Sequence, residues 1–179
     1  KSAAGLFLAA LVLAALIPFL PVRAQEAISL KSLTVDLWPE FDRPSMLVMY
    51  QFSLSDQFKV PGEVRLRIPA DAGEPNAVAV CEPTGNCFNT PFTTEPAGEW
   101  TVLVISATMP DVRVEYYDPG LTKDGTNRHY EFVWPGDFAV VNFRLHVQQP
   151  SGARDMRLKP GTATQRVEDD GLTYYTLEV

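Results

Sequence analysis

Beyond residue 25 the apolar side chains recur at every second position, and helical spacing is nearly absent. In "SLTVDLW", 32–38, Leu33, Val35 and Leu37 share one face, while Thr34, Asp36 and Trp38 share the other. "MLVMYQFSL", 46–54, is apolar on both faces and predicts a buried central strand. "EVRLRI", 63–68, alternates cleanly, with Val64, Leu66 and Ile68 inward. Further strands are predicted over 76–81, 100–107, 112–117, 129–134 and 139–147. Two last runs flank Asp169-Asp170-Gly171, a hairpin signal.

With turn residues between nine or ten short strands and no crossover helices, the pattern predicts an all-β, antiparallel immunoglobulin-like β-sandwich. The fifteen prolines suit edges and turns rather than helix interiors. The longest expected loop covers 82–99.

Alternation also assigns faces in the second half. It places Val112, Val114 and Tyr116 inward, then Tyr130, Phe132 and Trp134, then Ala139, Val141, Phe143, Leu145 and Val147. Asn142, Arg144, His146 and Gln148 point outward. A Pro135-Gly136 turn would join the last two strands, setting Tyr130 opposite Val141 and His129 opposite Asn142. Laying 112–117 beside 129–134 with Tyr116 against Tyr130 sets Tyr117 against His129 and Glu115 against Glu131. Opposed residues have β-carbons about 4.5–5.5 Å apart. That register predicts a small outer-face cluster of Glu115, Glu131 and His129, in which two close carboxylates would invite a cation. A solvated, charge-balanced sheet face is the plainer expectation.

The N-terminus changes the picture. A positive Lys1, an apolar run to Pro21 and small residues at Val22 and Ala24 predict a secretory signal peptide, or an uncleaved anchor helix, over 1–24. A single β-sandwich domain over 25–179 would follow, and an extracytoplasmic location with it. The chain stops in a strand-like run, Leu177-Glu178-Val179, as a truncated domain would. Cleavage would take Lys1 and Arg23 from 15 basic side chains and none of 22 acidic ones. A chain of net charge −7 before that loss argues against nucleic acid or anionic lipid as partner. Membrane attachment is expected only through an uncleaved N-terminal segment or an anchor beyond Val179.

Candidate chemistry is sparse. Cys81 and Cys87, in "CEPTGNC", predict a local disulfide in an exported chain. Two isolated histidines fall short of a zinc site, and Cys87 has no histidine or methionine near it for type I copper. "DPGLTKDGTN", 118–127, lacks the alternating acids of a calcium loop. No nucleophile motif occurs. The expectation is therefore no enzyme, no metal and no cofactor. Trp38 and Tyr117 have outward parity, and "LWPEFDRP" ends a strand in a rigid turn, so exposed aromatics could anchor a protein or stack on a sugar.

"LWPEFDRPSMLVMY", with "VEYYDP" and "RHYEFVWPGDFAVVNFRLHVQQP", resembles a group of uncharacterised exported proteins of Chloroflexota-type bacteria. These share a signal peptide, an "L-x-P-E-[YF]-D-[RQ]-P" strand opening and a "V-Q-Q-P" strand. The similarity runs over most of 27–179 and brings no assigned activity; some similar proteins continue into a C-terminal membrane segment. Together these features lead to an exported, noncatalytic binding or scaffolding module of the cell envelope, with an envelope protein or a glycan as partner. Trp38, Glu115, Tyr117, His129 and Glu131 are its candidate contacts. The alternative is a carbohydrate-active module that binds or hydrolyses glycan.

Overall fold

The computed structural model describes residues 28–159, 161 and 163–179; the expected signal or anchor helix over 1–24 lies outside them. The described chain is all-β. Its thirteen strands are β1 (Ser29–Pro39), β2 (Met46–Leu54), β3 (Gly62–Pro69), β4 (Ala77–Cys81), β5 (Cys87–Asn89), β6 (Phe92–Ala97) and β7 (Trp100–Ala107), followed by β8 (Asp111–Asp118), β9 (Thr122–Asp124), β10 (Asn127–His129), β11 (Ala139–Gln148), β12 (Thr164–Val167) and β13 (Thr173–Glu178). More strands form than the alternation marks, because the expected long loop over 82–99 holds β5 and β6 and the turn region after β8 holds a ribbon, β9–β10.

An eight-stranded sheet has the order β12-β13-β11-β1-β2-β8-β4-β5, and a three-stranded sheet has the order β3-β7-β6. Both feed one core in a sandwich-like arrangement. Val35, Val48, Tyr50 and Val114 come from the large sheet; Val64, Leu66, Ile68, Leu103 and Ile105 come from the small one. β2 is central and buried along most of its length, as its two-sided apolar run requires. The core's one fully buried phenol pair satisfies itself, with the Tyr50 and Tyr116 hydroxyls 2.8 Å apart. Burial pushes both phenols upward from their ordinary range. Cys81 and Cys87 form the expected disulfide across β4–β5. A disulfide suits an oxidising, extracytoplasmic compartment. Among the described residues no helix is long and apolar enough to cross a membrane.

Three expectations fail. First, the antiparallel rule has an exception: β1 pairs with β11 in parallel. Second, 129–134 is not a ladder strand. Only Asn127–His129 pairs, with Thr122–Asp124, and 130–138 crosses the molecule as an extended strap. The strap cannot pair with its expected neighbours, because β8 already lies between β2 and β4, and β11 between β13 and β1. Tyr130 therefore does not face Val141, nor His129 Asn142. The alternation nonetheless holds along the strap: Tyr130, Phe132 and Trp134 pack against the core, while His129, Glu131 and Val133 are exposed.

Third, Ala139 and Val141 do not point inward; Val141 is 74% exposed. The β1–β2 register shifts between Leu30 and Ser32, leaving Lys31 as an extra residue. Leu30 and Leu33 are consequently both buried although three apart. β11 keeps step with β1, so Val140 and Phe143 take the core side opposite Leu30 and Leu33. Beyond that bulge Leu145 and Val147 follow the expected parity.

Candidate functional site

The outer face of the large sheet carries three of the five candidate contacts. Trp38 on β1 is registered with Leu47 on β2, and Leu47 with Tyr117 on β8. The connection Glu40–Ser45 folds back over this row. Phe41 packs its ring on Trp38, with centroids 4.9 Å apart. The Arg43 guanidinium lies 4.1 Å above the Tyr117 ring, and the Tyr117 hydroxyl donates to Asp42 at 2.8 Å. Desolvation, then that hydrogen bond to a carboxylate, raises the Tyr117 hydroxyl from its ordinary range. Leu47 is buried beneath, whereas Phe41 remains 55% exposed.

The loop is held tightly. Glu40 adopts φ 50, a left-handed conformation that a non-glycine side chain rarely takes. Its backbone N–H donates to the Ser45 carbonyl at 3.0 Å. Its carboxylate is gripped from the β9–β10 ribbon by Lys123 Nζ at 2.6 Å and Arg128 Nε at 2.8 Å. Arg128 foremost, then Lys123, holds the Glu40 carboxyl below its ordinary range. The clasp's contribution is thus present above the ordinary carboxylate pKa and lost as pH falls through the depressed value. Amide shifts of Lys123 and Arg128, followed from about pH 6 towards 3, should move together in wild type and stay still in Glu40→Gln. Unchanged wild-type shifts across that range would rule the clasp out.

The remaining candidates separate. Glu115 is registered with Met49 and Ala77 and sits 3.0 Å from Arg113 Nε, too poorly aligned for a hydrogen bond but close enough for an ionic contact. Glu131 lies exposed on the strap, and His129 is exposed at the end of β10. The expected cluster of Glu115, Glu131 and His129 does not form, because it needed the missing β8–strap ladder. Its members are charged or polar groups on different elements.

A second arrangement on the outer face escaped the sequence. Where β11 runs beside β1, His146 is registered with Asp36. Its Nδ1 lies 2.9 Å from Asp36 Oδ1, while Gln51 Nε2 donates to Asp36 Oδ2 at 2.9 Å. Its Nε2 faces Glu168 Oε1 at 3.2 Å, and the ring stacks on Tyr174 with centroids 4.6 Å apart. His146 and Glu168 border an open groove of about 600 Å³ lined also by Arg144, Arg166, Glu178 and three threonines. Outward parity marked Asp36 and His146 singly. Their meeting depended on a parallel pairing between strands 110 positions apart, for which the sequence carries no local signal.

The chain matches no protein-family model and no curated protein. Among the described residues, no three or more His, Cys, Asp or Glu side chains gather where they could hold a metal ion.

Proposed function

We propose that the chain is an exported, noncatalytic β-sandwich of immunoglobulin-like type that binds or scaffolds at the bacterial cell envelope, with the Phe41 loop as its contact. In this reading it belongs with the Chloroflexota-type exported proteins that its strand motifs resemble. The observation that carries the reading is the exposed Phe41 ring on a loop tied down by Trp38, Tyr117, Lys123 and Arg128. An aromatic ring at a protein contact concentrates binding energy. A loop already held in one conformation loses little entropy on binding. Backbone strain kept at Glu40 by surrounding contacts is of the kind found at ligand clamps.

The glycan reading is weaker in geometry. Trp38 lies against Phe41 and Tyr117 against Arg43, so each of the two aromatics expected to stack on sugar is partly covered. A photoreactive side chain at position 41 should crosslink to an envelope protein in intact cells, whereas one at the still more exposed Val141 should not. Phe41→Ala should weaken that association by about 30-fold, the loss of one hot-spot side chain. Crosslinks to polysaccharide alone would transfer the proposal to the glycan reading. Equal crosslinking from 41 and 141 would remove the loop as the contact.

A further inference from the structure

We infer that Arg43 sets the specificity of the Phe41 contact, and that the partner protein presents a carboxylate there beside an apolar side chain. The inference rests on the Phe41 loop as the contact and adds the chemistry of what the loop meets. Phe41 and Arg43 are both exposed and stand two positions apart on that loop. The Arg43 guanidinium is held 4.1 Å over the Tyr117 ring. That ring is itself fixed, because its hydroxyl reaches both oxygens of Asp42, at 2.8 and 2.9 Å. Pro44 confines the Arg43 backbone to extended conformations, and the Arg43 carbonyl accepts from the Ser45 N–H at 2.8 Å.

The guanidinium is positioned but not satisfied. Among the described residues its side chain makes no hydrogen bond and no ion pair. A cation over an aromatic face keeps its N–H donors for another partner. The other charges bonded to the loop are engaged: Glu40 is gripped by Lys123 and Arg128, and Asp42 accepts from Tyr117. Three positive groups thus meet two negative ones, leaving one positive charge on a chain of net charge −7. A carboxylate matches the planar guanidinium with two parallel hydrogen bonds. A side chain already stacked in place loses little rotamer freedom when it binds. A polyanion such as nucleic acid or an anionic bilayer needs several free cations together. Lys123 and Arg128 are occupied by Glu40, so the loop offers only one. One carboxylate beside an apolar residue is therefore the complement of one guanidinium beside Phe41.

Two capped dipeptides that differ only in charge, N-acetyl-glutamyl-leucinamide and N-acetyl-glutaminyl-leucinamide, test this on the isotope-labelled full chain. Each is added to roughly 10 mM, the range of weak single-contact affinities. The glutamyl peptide should shift the Arg43 Nε–H resonance and the Phe41 ring signals. The glutaminyl peptide should bind about fivefold more weakly, the difference that a charged acceptor makes. The glutamyl response should fall with added sodium chloride and vanish in Arg43→Gln, a change on an exposed loop outside the core. In cells, Arg43→Glu should cut protein crosslinking from position 41 about 30-fold. Replacing the acidic residue nearest the mapped crosslink by arginine should restore it. Equal responses to the two peptides, no response at Arg43 to either, or crosslinking that survives Arg43→Glu overturns the inference while leaving Phe41 as the contact. Crosslinks confined to polysaccharide, or none from position 41, overturn the protein partner instead and leave a carboxylate response at Arg43 standing.

Discussion

Trp134→Ala is expected to lower the unfolding free energy by about 3 kcal/mol, the lower end for removing a large aromatic from a core, because the ring is only partly enclosed. Trp134 meets three aromatic neighbours: Tyr50 edge-on with centroids 5.7 Å apart, Phe143 at 6.0 Å and Phe138 at 6.5 Å. Tyr50 is fully buried, so it cannot swing outward to fill the gap, and a cavity would remain between the strap and β2. For a domain of this size the loss corresponds to a Tm fall of roughly 6–12 °C. Val133→Ala is the matched control. Val133 is 53% exposed, so its change should stay within about 0.5 kcal/mol. Urea unfolding of the two variants distinguishes an aromatic strap that closes the core from a loose surface loop. Similar values for both would mean that the strap contributes no packing.

Asp137→Ala is expected to cost about 2 kcal/mol, mostly through groups left without partners. Asp137 accepts from the Arg67 backbone N–H at 2.9 Å and from Arg67 Nε, while Arg67 also donates to the Pro135 carbonyl at 2.9 Å. β3 is an edge strand of the small sheet, so its outward N–H groups lack a ladder partner. The strap supplies one through a side chain. The Arg67 side chain is partly exposed, and the ionic part of the loss is therefore discounted for solvent screening. Asp137→Asn keeps an acceptor for the backbone and should lose about half as much. Native-state hydrogen exchange gives the specific readout: the Arg67 amide should exchange faster in Asp137→Ala while Leu66 and Ile68, buried in the same strand, stay protected. A uniform rise across β3 would indicate global destabilisation instead.

Both predictions concern the strap, where the alternation was right about faces and wrong about hydrogen bonding. Period-two spacing reports which side chains meet the core. It is blind to whether the backbone between them joins a ladder, since an extended chain has the same parity either way. At Tyr130, Phe132 and Trp134 the faces survived and the strand did not. At Val140 and Val141 the reverse happened: the strand formed, and the extra residue at Lys31 moved its faces. Of the candidate contacts, Trp38 and Tyr117 could be grouped from outward parity alone. Phe41 could not, because it lies past the strand end, where periodicity carries no information and only the folded loop sets exposure.

The sequence by itself determined the all-β class, the buried central strand 46–54, the inward sets of β3 and β8, the Cys81–Cys87 closure and the final hairpin. Each depends on residues within about ten positions of one another, and local spacing records such relations directly. Tertiary structure alone decided that β1 and β11 run parallel, that His146 meets Asp36 and Glu168, that the ribbon grips Glu40 and that the strap plugs the core. Those contacts join segments that lie far apart in the chain. They arise from competition among strands for a limited number of sheet edges, and no single segment of the chain encodes that competition.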